Sequence, residues 1–537
     1  MSQNKSTKNS FVTGALIIAI SNLLVKLIGA VYKIPLDRYI LGTAGLGVYS
    51  ASYTIYNLLF VISTAGLPVA ISKMIAESDA NRDYKKSEVI FTVAKRLLFT
   101  VGLICAIIMF FGSKIFANLI GSPNSYYTTM VMAPSLFFVA LASAYRGYYQ
   151  GHQNMYPTAI SEVIEALSKL IFGLSIAYIV KLQFDTYYLS SAGAIAGISI
   201  GTLLSVLFLT FYNLADNKRK RVISLEDFKN APVTESKYSI LKKLVKIAVP
   251  ITIGASVFTL TSFIDMATVM NTLSGLGYSE KEVTSLYGYL NRAITFFNMP
   301  PTIINGISIS IVPYIASFVA MKKHKEAISS IRSAFKITLA LAIPCGVGIC
   351  VMASPILELF YNDTNNSFLL NAMGIAVIFV TLVQTSNAVL QAFGRVWVPV
   401  INMVIGGIFK IAINLILVSK PEININGAPI GTLSCYIIVM ILNLIALKRC
   451  TNVKYGFLDF IFKPLLLSAI TAFTAGFSYY LISPHVHIVI AIVGAVAITA
   501  LVYLISIILF KGLSEDEILL LPKGESILSK LKKLRIM

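Results

Sequence analysis

FVTGALIIAISNLLVKLIGAVYK, residues 11–33, decides the fold class, because 23 residues in one helix reach about 35 Å and a hydrocarbon core is about 30 Å thick. Only Lys26 and Lys33 carry charge in this run, seven residues apart and so on one helical face. Similar apolar runs recur to the end of the chain. Of the 537 residues, 56% are hydrophobic and 13% charged, with a mean hydropathy of +0.79, and that is about half the charge density of an ordinary soluble domain. The runs are continuously apolar with Gly, Ala and Ser interspersed, which suits packed helices; a barrel would show ten-residue alternation. The expectation is an all-α membrane protein of about fourteen transmembrane helices.

The spans fall at about 11–33, 47–72, 97–118, 126–145, 157–180, 190–213, 247–270, 286–316, 337–360, 368–390, 397–418, 427–447, 464–482 and 487–510. With the N-terminus in the cytoplasm, 34 of the 44 Lys and Arg residues lie in inner segments, five in outer connections and five within spans. Alternate connections rich and poor in cations are what the positive-inside rule requires. The formal charge of +20 therefore reports topology and contact with anionic inner-leaflet lipids, and no nucleic acid is needed to explain it. Both termini are expected in the cytoplasm. The first span is full length and carries two lysines, unlike the short apolar core of a cleavable signal peptide, so it is expected to remain.

Four matches in register indicate an internal repeat: AGLPVAIS (65–72) with NGISISIV (305–312), Gln150 and Pro157 with Gln391 and Pro399, Lys169 with Lys410, and GAIAG (193–197) with GAPIG (427–431). Six spans separate the partners, so the halves share one orientation: two parallel six-helix repeats around a central cavity. The expected organisation is an N-lobe over 1–215, a basic cytoplasmic linker over 216–246, a C-lobe over 247–450, two extra helices over 451–510 and a basic cytoplasmic tail over 511–537. The end of that tail, SILSKLKKLRIM, reads equally as a helix on the inner leaflet or as a solvated segment.

Cys105, Cys345, Cys350, Cys435 and Cys450 lie in or beside apolar segments without metal-ligand spacing and read as packing residues. The four histidines lie in loops or at span ends, and no metal, nucleophile or Walker-type arrangement is present in the sequence. Nothing points to an enzyme, a metal or a cofactor. The informative residues are the ionisable ones inside the spans, which generally face a bundle interior or water. Lys26 lies too deep to reach an interface easily and points to a cavity; Lys33 either lines that cavity or snorkels to the outer surface. Arg292 has no acid at helical spacing, so it either receives a phosphate with its planar fork or pairs with a carboxylate elsewhere, Asp265 among the candidates. Glu162, Glu165 and Lys169 form one stripe, read either as a self-neutralising Glu165–Lys169 pair or as a path for protons or a coupling cation. Asp265 is a candidate coupling-ion ligand, unless Thr259, Thr261 and Ser262 simply hydrogen-bond it. Lys169 and Lys410 are secondary cavity cations. A cationic cavity implies an anionic substrate.

GLGVYSASYTIYNLLFVISTAGLPVAISKMIAE (45–77), YRGYYQGHQNMYPTAISEVIEALSKL (145–170) and LQAFGR (390–395) resemble the stage V sporulation protein B-like and MurJ-like lipid II flippases of the multidrug/oligosaccharidyl-lipid/polysaccharide exporter superfamily. The resemblance covers essentially the whole chain. It implies alternating access between two lobes in the bacterial cytoplasmic membrane, a cationic cavity for a diphosphate-sugar headgroup and a groove at the last two helices for a polyprenyl tail. On this pattern Lys26 and Lys33 stand near two first-helix arginines, Gly29 matches the glycine between them, and Arg292 matches an eighth-helix arginine. A second-helix arginine has no counterpart around Leu58 to Phe60.

The expected function is a flippase for a polyprenyl-diphosphate-linked saccharide, lipid II foremost, working as a monomer without a cofactor. Membrane potential, Na+ or H+ would couple, and cell-wall synthases are candidate partners. The rival readings are a flippase for a teichoic-acid, capsule or spore-envelope precursor, a cation-coupled drug exporter, and a non-transporting scaffold for cell-wall synthases. Excess lysine and arginine in the spans argues against the drug exporter.

Overall fold

The computed structural model describes residues 17, 20–22, 24–81, 83–223, 235–302, 304, 315–316, 318–319, 321–451 and 462–510. These residues are helical or lie in turns and short connections, with no strand among them. A lipid-facing backbone requires this, because an unsatisfied peptide group in hydrocarbon costs several kcal/mol. Twelve stretches of the described residues are helices long and apolar enough to cross a membrane. The first, Ile20–Ala80, takes in the second expected span and residues 20–33 of the first, whose start lies largely outside the described residues. The eighth, expected over 286–316, lies partly outside the described residues, as do much of the linker and the whole tail over 511–537. The chain is a multi-pass helical membrane protein.

Two compact units divide it, Met1–Gly288 and Tyr289–Met537. The first holds α1 (24–35), a wide π-turn at Leu36–Leu41, α2 (Gly42–Thr64), α3 (Leu67–Ala80), α4 (Tyr84–Phe111), α5 (Ser113–Leu119), α6 (Ser125–Gly151), α7 (Tyr156–Phe184), α8 (Tyr187–Ile223), α9 (Lys237–Gly275) and the start of α10 (Glu280–Phe297). Pro35 has no N–H to donate, so the regular ladder loosens at the π-turn, and Gly42, at φ +62°, takes the left-handed backbone that ends it. The second unit continues with α11 (His324–Val351), α12 (Ala353–Tyr361), α13 (Ser367–Ala392), α14 (Trp397–Leu417), α15 (Gly427–Thr451), α16 (Lys463–Ile482) and α17 (Ile488–Leu509).

The repeat is visible element by element. Helix α4 breaks at Gly112 before the short α5, and α11 breaks at Met352 before the short α12. Helices α6 and α13 end at Gly151 and Ala392, each followed by a left-handed residue, Gln153 (φ 57°) and Gly394 (φ 73°), that turns the chain into α7 or α14. Within each unit the pairing repeats: α4 on α6, α6 on α8 and α7 on α8 correspond to α11 on α13, α13 on α15 and α14 on α15. Helices α16 and α17 pack on each other and on α11, outside the repeat.

Small residues set the spacing. A Cβ built on Gly197 of α8 would lie 2.3 Å from the Gly173 nitrogen of α7. At the crossing of α2 with the start of α10, a Cβ on Gly47 would lie 1.9 Å from the Thr284 carbonyl oxygen, and one on Gly288 would lie 1.9 Å from that of Thr43. Thr43 and Thr284, like Gly47 and Gly288, occupy equivalent positions of the repeat, so two Thr-x-x-x-Gly turns meet reciprocally. Thr43 and Ser285 share a 2.6 Å hydroxyl hydrogen bond there.

At the start of α9, Glu235 accepts from Lys243, from Ser239 Oγ at 2.6 Å and from Lys86 Nζ at 2.9 Å. Those three donors, Lys243 first, hold its carboxyl at about 2, below the ordinary 4.5. A depressed carboxylate adds stability above its unfolded value and loses that contribution as pH falls through the folded one. Glu235→Gln is therefore expected to flatten the acid-side loss of thermal stability between pH 4.5 and about 2, read by size-exclusion thermal challenge.

Candidate functional site

Helix α7 begins at Tyr156 with Pro157 in its first turn, where the missing N–H costs nothing, and runs as one amphipathic rod. Glu162, Glu165 and Lys169 share a stripe on it, as the i, i+3, i+7 spacing requires. Gly201 of α8 lets the two helices close up, since a Cβ there would lie 2.7 Å from the Glu165 carbonyl oxygen.

The stripe faces a cavity of about 190 Å³ walled by Gly29, Tyr32, Tyr53, Tyr56, Arg146 and the three α7 residues. Arg146, on α6, donates from Nε to Ser161 Oγ at 3.0 Å, and from Nη2 to Glu165 Oε2 at 2.9 Å and to Ser205 Oγ at 3.1 Å. Glu165 thus pairs with Arg146, whereas the sequence offered Lys169. The guanidinium reaches acceptors on both α7 and α8 at once, a geometry an ammonium on the same helix lacks. Lys169 instead stands over three ring faces, with Nζ 4.8 Å from the Tyr32 centroid, 5.6 Å from Tyr53 and 5.9 Å from Tyr49. Such cation–π contacts gain strength where water is thin. Along α2 the stripe Tyr49, Tyr53, Tyr56 and Phe60 stacks at successive centroid distances of 6.3, 5.8 and 5.7 Å. One oxygen of Glu162 is buried without a hydrogen-bond partner.

On α1, Val25, Ile28, Gly29 and Tyr32 form the cavity wall. Lys26 and Lys33 share one face of the helix, one step round it from that stripe, Lys26 exposed and Lys33 half-buried. Gly29 sits between them with no atom within 4 Å of a built Cβ, so the surface between the two ammonium groups is open. Lys33 lies within electrostatic reach of Lys169 and Asp37.

In the second unit, Arg292 of α10 is 5% exposed and donates from Nη1 to Asp363 Oδ2 at 2.8 Å. Its guanidinium stands 4.6 Å from the Tyr361 ring and 5.1 Å from Tyr289. A carboxylate partner of Arg292 is therefore Asp363, in the connection after α12. Burial pulls the Asp363 carboxyl up, but the Asn365 N–H and the Arg292 guanidinium outweigh it and hold the group below its ordinary range. Asp265 is half-buried on α9, and the hydroxyls of Thr259, Thr261 and Ser262 donate to the carbonyls of Ser256, Val257 and Phe258. Lys410 is half-buried on α14 at the position equivalent to Lys169.

Three features of these sites escaped the sequence reading. Arg146 counted there as an inner-connection cation, because it follows an apolar run, yet α6 continues to Gly151. Asp363 sits in a polar YNDTNNS connection with no periodicity to mark it. The tyrosine stripe is legible in retrospect from its i, i+4, i+3, i+4 spacing.

The described architecture is a multi-pass helical membrane fold with an internal repeat. Solved structures agree: the inward-closed lipid II flippase MurJ superposes with a TM-score of 0.68 at 18% identity, over 92% of this chain and 98% of that one. An inward-facing multidrug-resistance MATE transporter of the MOP superfamily reaches 0.66 at 15% identity, over 81% and 98%. Residues 11–319, more than half of the chain, match the polysaccharide biosynthesis protein family, and the chain belongs to that family. Stage V sporulation protein B of Bacillus subtilis (strain 168) is 24% identical over 96% of this chain and 98% of its own length. The lipid II flippase MurJ of the same organism is 24% identical over 83% of this chain and 84% of its own.

Proposed function

We propose that the protein is a flippase that carries a polyprenyl-diphosphate-linked saccharide, with lipid II as the first substrate to test, from the inner to the outer leaflet of a bacterial cytoplasmic membrane. The observation that carries this reading is the cavity of the first unit, where Arg146 and Lys169 stand against a stripe of tyrosines and Lys26 and Lys33 lie beside the wall on one face of α1. Cations suit a diphosphate, and ring faces suit a sugar. The aromatic stripe of α2 ends at Phe60, within the stretch Leu58 to Phe60 where the resemblance implies an arginine that this chain lacks. With Lys26 and Lys33 beside the cavity, four cations stand against the carboxylates of Glu162 and Glu165, where an exporter of organic cations would need an acidic excess. Lys26, Lys33 and Arg292 are proposed to hold the diphosphate, with Lys169 and Lys410 as supporting cations. Glu162, Glu165 and Asp265 are candidates for coupling to H+ or Na+, and an inside-negative potential is worth about 2.3 kcal/mol per charge per 100 mV.

A second reading exchanges lipid II for another lipid-linked glycan. It is favoured by the sporulation relative, which matches more of the chain than MurJ at the same identity. Reconstituted vesicles distinguish these: leaflet exchange of labelled lipid II is followed beside a teichoic-acid precursor and a cationic dye. One charge-assisted contact is worth about 1.5 kcal/mol, so Lys169→Met is expected to slow lipid transport roughly tenfold. Transport of the dye with neither lipid moving would sink the proposal.

A further inference from the structure

At the far end of the first unit from Glu235 lies a second, larger cleft of about 640 Å³, separate from the α7 cavity. It forms where the π-turn, the α7–α8 connection and the start of α10 converge. Its wall carries Arg38, Lys181 and Lys281, three of the five cations that the charge-derived topology places in outer connections. Outer cations are few in this chain, so the meeting of three of them in one cleft, from segments at least 100 residues apart in sequence, calls for a ligand.

The frame around them is firm. Glu280 anchors the start of α10 by accepting from the Asn124 N–H at 2.7 Å, from Asn124 Nδ2 at 2.8 Å and from Ser122 Oγ at 3.1 Å. Lys181 Nζ donates to the Tyr39 carbonyl oxygen at 2.7 Å, and the Arg38 guanidinium stands 5.4 Å from the Tyr39 ring. Two carboxylates also line the cleft. Glu282 is committed to Ser279, accepting from its N–H and its hydroxyl at 2.8 Å each, and Asp185 ends α7 in a left-handed turn. Tyr39 and Tyr187 offer aromatic surface, and Thr186 Oγ1 is buried in the wall without a hydrogen-bond partner. A cleft of this volume holds a ligand of disaccharide size.

We infer that this outer cleft binds a phosphate-bearing saccharide, with Arg38 and Lys281 on the anion and the tyrosines and Thr186 on the sugar. The inference rests on the flippase reading for its side of the membrane and its ligand class. It describes a station on the exit side, where a headgroup or a soluble glycan phosphate meets the protein outside the transport cavity.

The test uses full-length protein in lipid nanodiscs and N-acetylglucosamine 1-phosphate as the soluble probe. Wild type is expected to bind it, and Arg38→Ala with Lys281→Ala to weaken binding at least tenfold; Lys281→Glu, at an exposed side chain, gives the same loss if the double variant folds poorly. Lys169→Met is expected to leave this binding unchanged while slowing transport. Competition from an undecaprenyl-diphosphate sugar in the same nanodisc assigns the cleft to a lipid headgroup, and absence of competition assigns it to soluble or polymeric glycan. Binding that persists in Lys281→Glu, or inorganic phosphate binding as tightly as the sugar phosphate, overturns the inference. Loss of lipid transport by the wild type with cleft binding intact would remove the flippase reading and leave the cleft standing.

Discussion

Arg292→Ala is expected to reduce lipid transport about a hundredfold, the loss of two charge-assisted hydrogen bonds at roughly 1.5 kcal/mol each to a diphosphate. It also leaves Asp363 without its guanidinium. Removing one partner of a fully buried pair costs about 3–5 kcal/mol, and with the Asp363 side chain 21% exposed a cost of roughly 2–3 kcal/mol is expected. The two contributions separate by experiment. If Arg292 serves only its pair with Asp363, then Asp363→Ala and Arg292→Ala slow transport equally and the double variant is no worse. If the guanidinium also receives the diphosphate, Arg292→Ala is far slower than Asp363→Ala at matched thermal stability. Arg292→Lys then restores stability better than transport, because an ammonium keeps the charge and loses the planar fork.

Gly47→Leu is expected to give the largest loss of stability, roughly 3 kcal/mol or more, because overpacking against backbone leaves no flexible side chain to yield. Even a methyl group there would meet the Thr284 carbonyl oxygen at 1.9 Å, so α2 and the start of α10 must move apart. The Thr43–Ser285 hydrogen bond is lost with them. Gly288→Leu produces the same defect from the other side. Gly29→Ala is the control: its built Cβ has open space, and exchange for a better helix former leaves melting temperature unchanged or slightly raised. Equal melting temperatures for Gly47→Leu and Gly29→Ala in detergent would refute the close crossing.

Much of the architecture is legible from hydropathy, since each span must satisfy its own backbone and bury few charges, and both constraints act on local sequence. The parallel repeat is legible too, from four weak matches in one order. The structure extends them to the helix breaks at Gly112 and Met352 and to the left-handed residues Gln153 and Gly394. Span ends are less legible. Arg146 follows an apolar run and looks like a loop cation, yet Ser161, Glu165 and Ser205 hold it inside the bundle.

The sequence by itself determined a helical membrane protein, its repeat, and the ionisable groups well inside its spans, though not Arg146 at a span end, because composition and period are properties of each segment alone. It could not determine their partners. Glu165 and Lys169 stand at a spacing that favours pairing, yet Glu165 takes Arg146 and Lys169 takes three tyrosines. Arg292 takes Asp363, 71 residues away. Which charge meets which depends on the angles at which helices cross and on the glycines that let them approach. Only the tertiary structure decides those, because inside a bilayer a charge is stabilised by whichever group packing brings within reach.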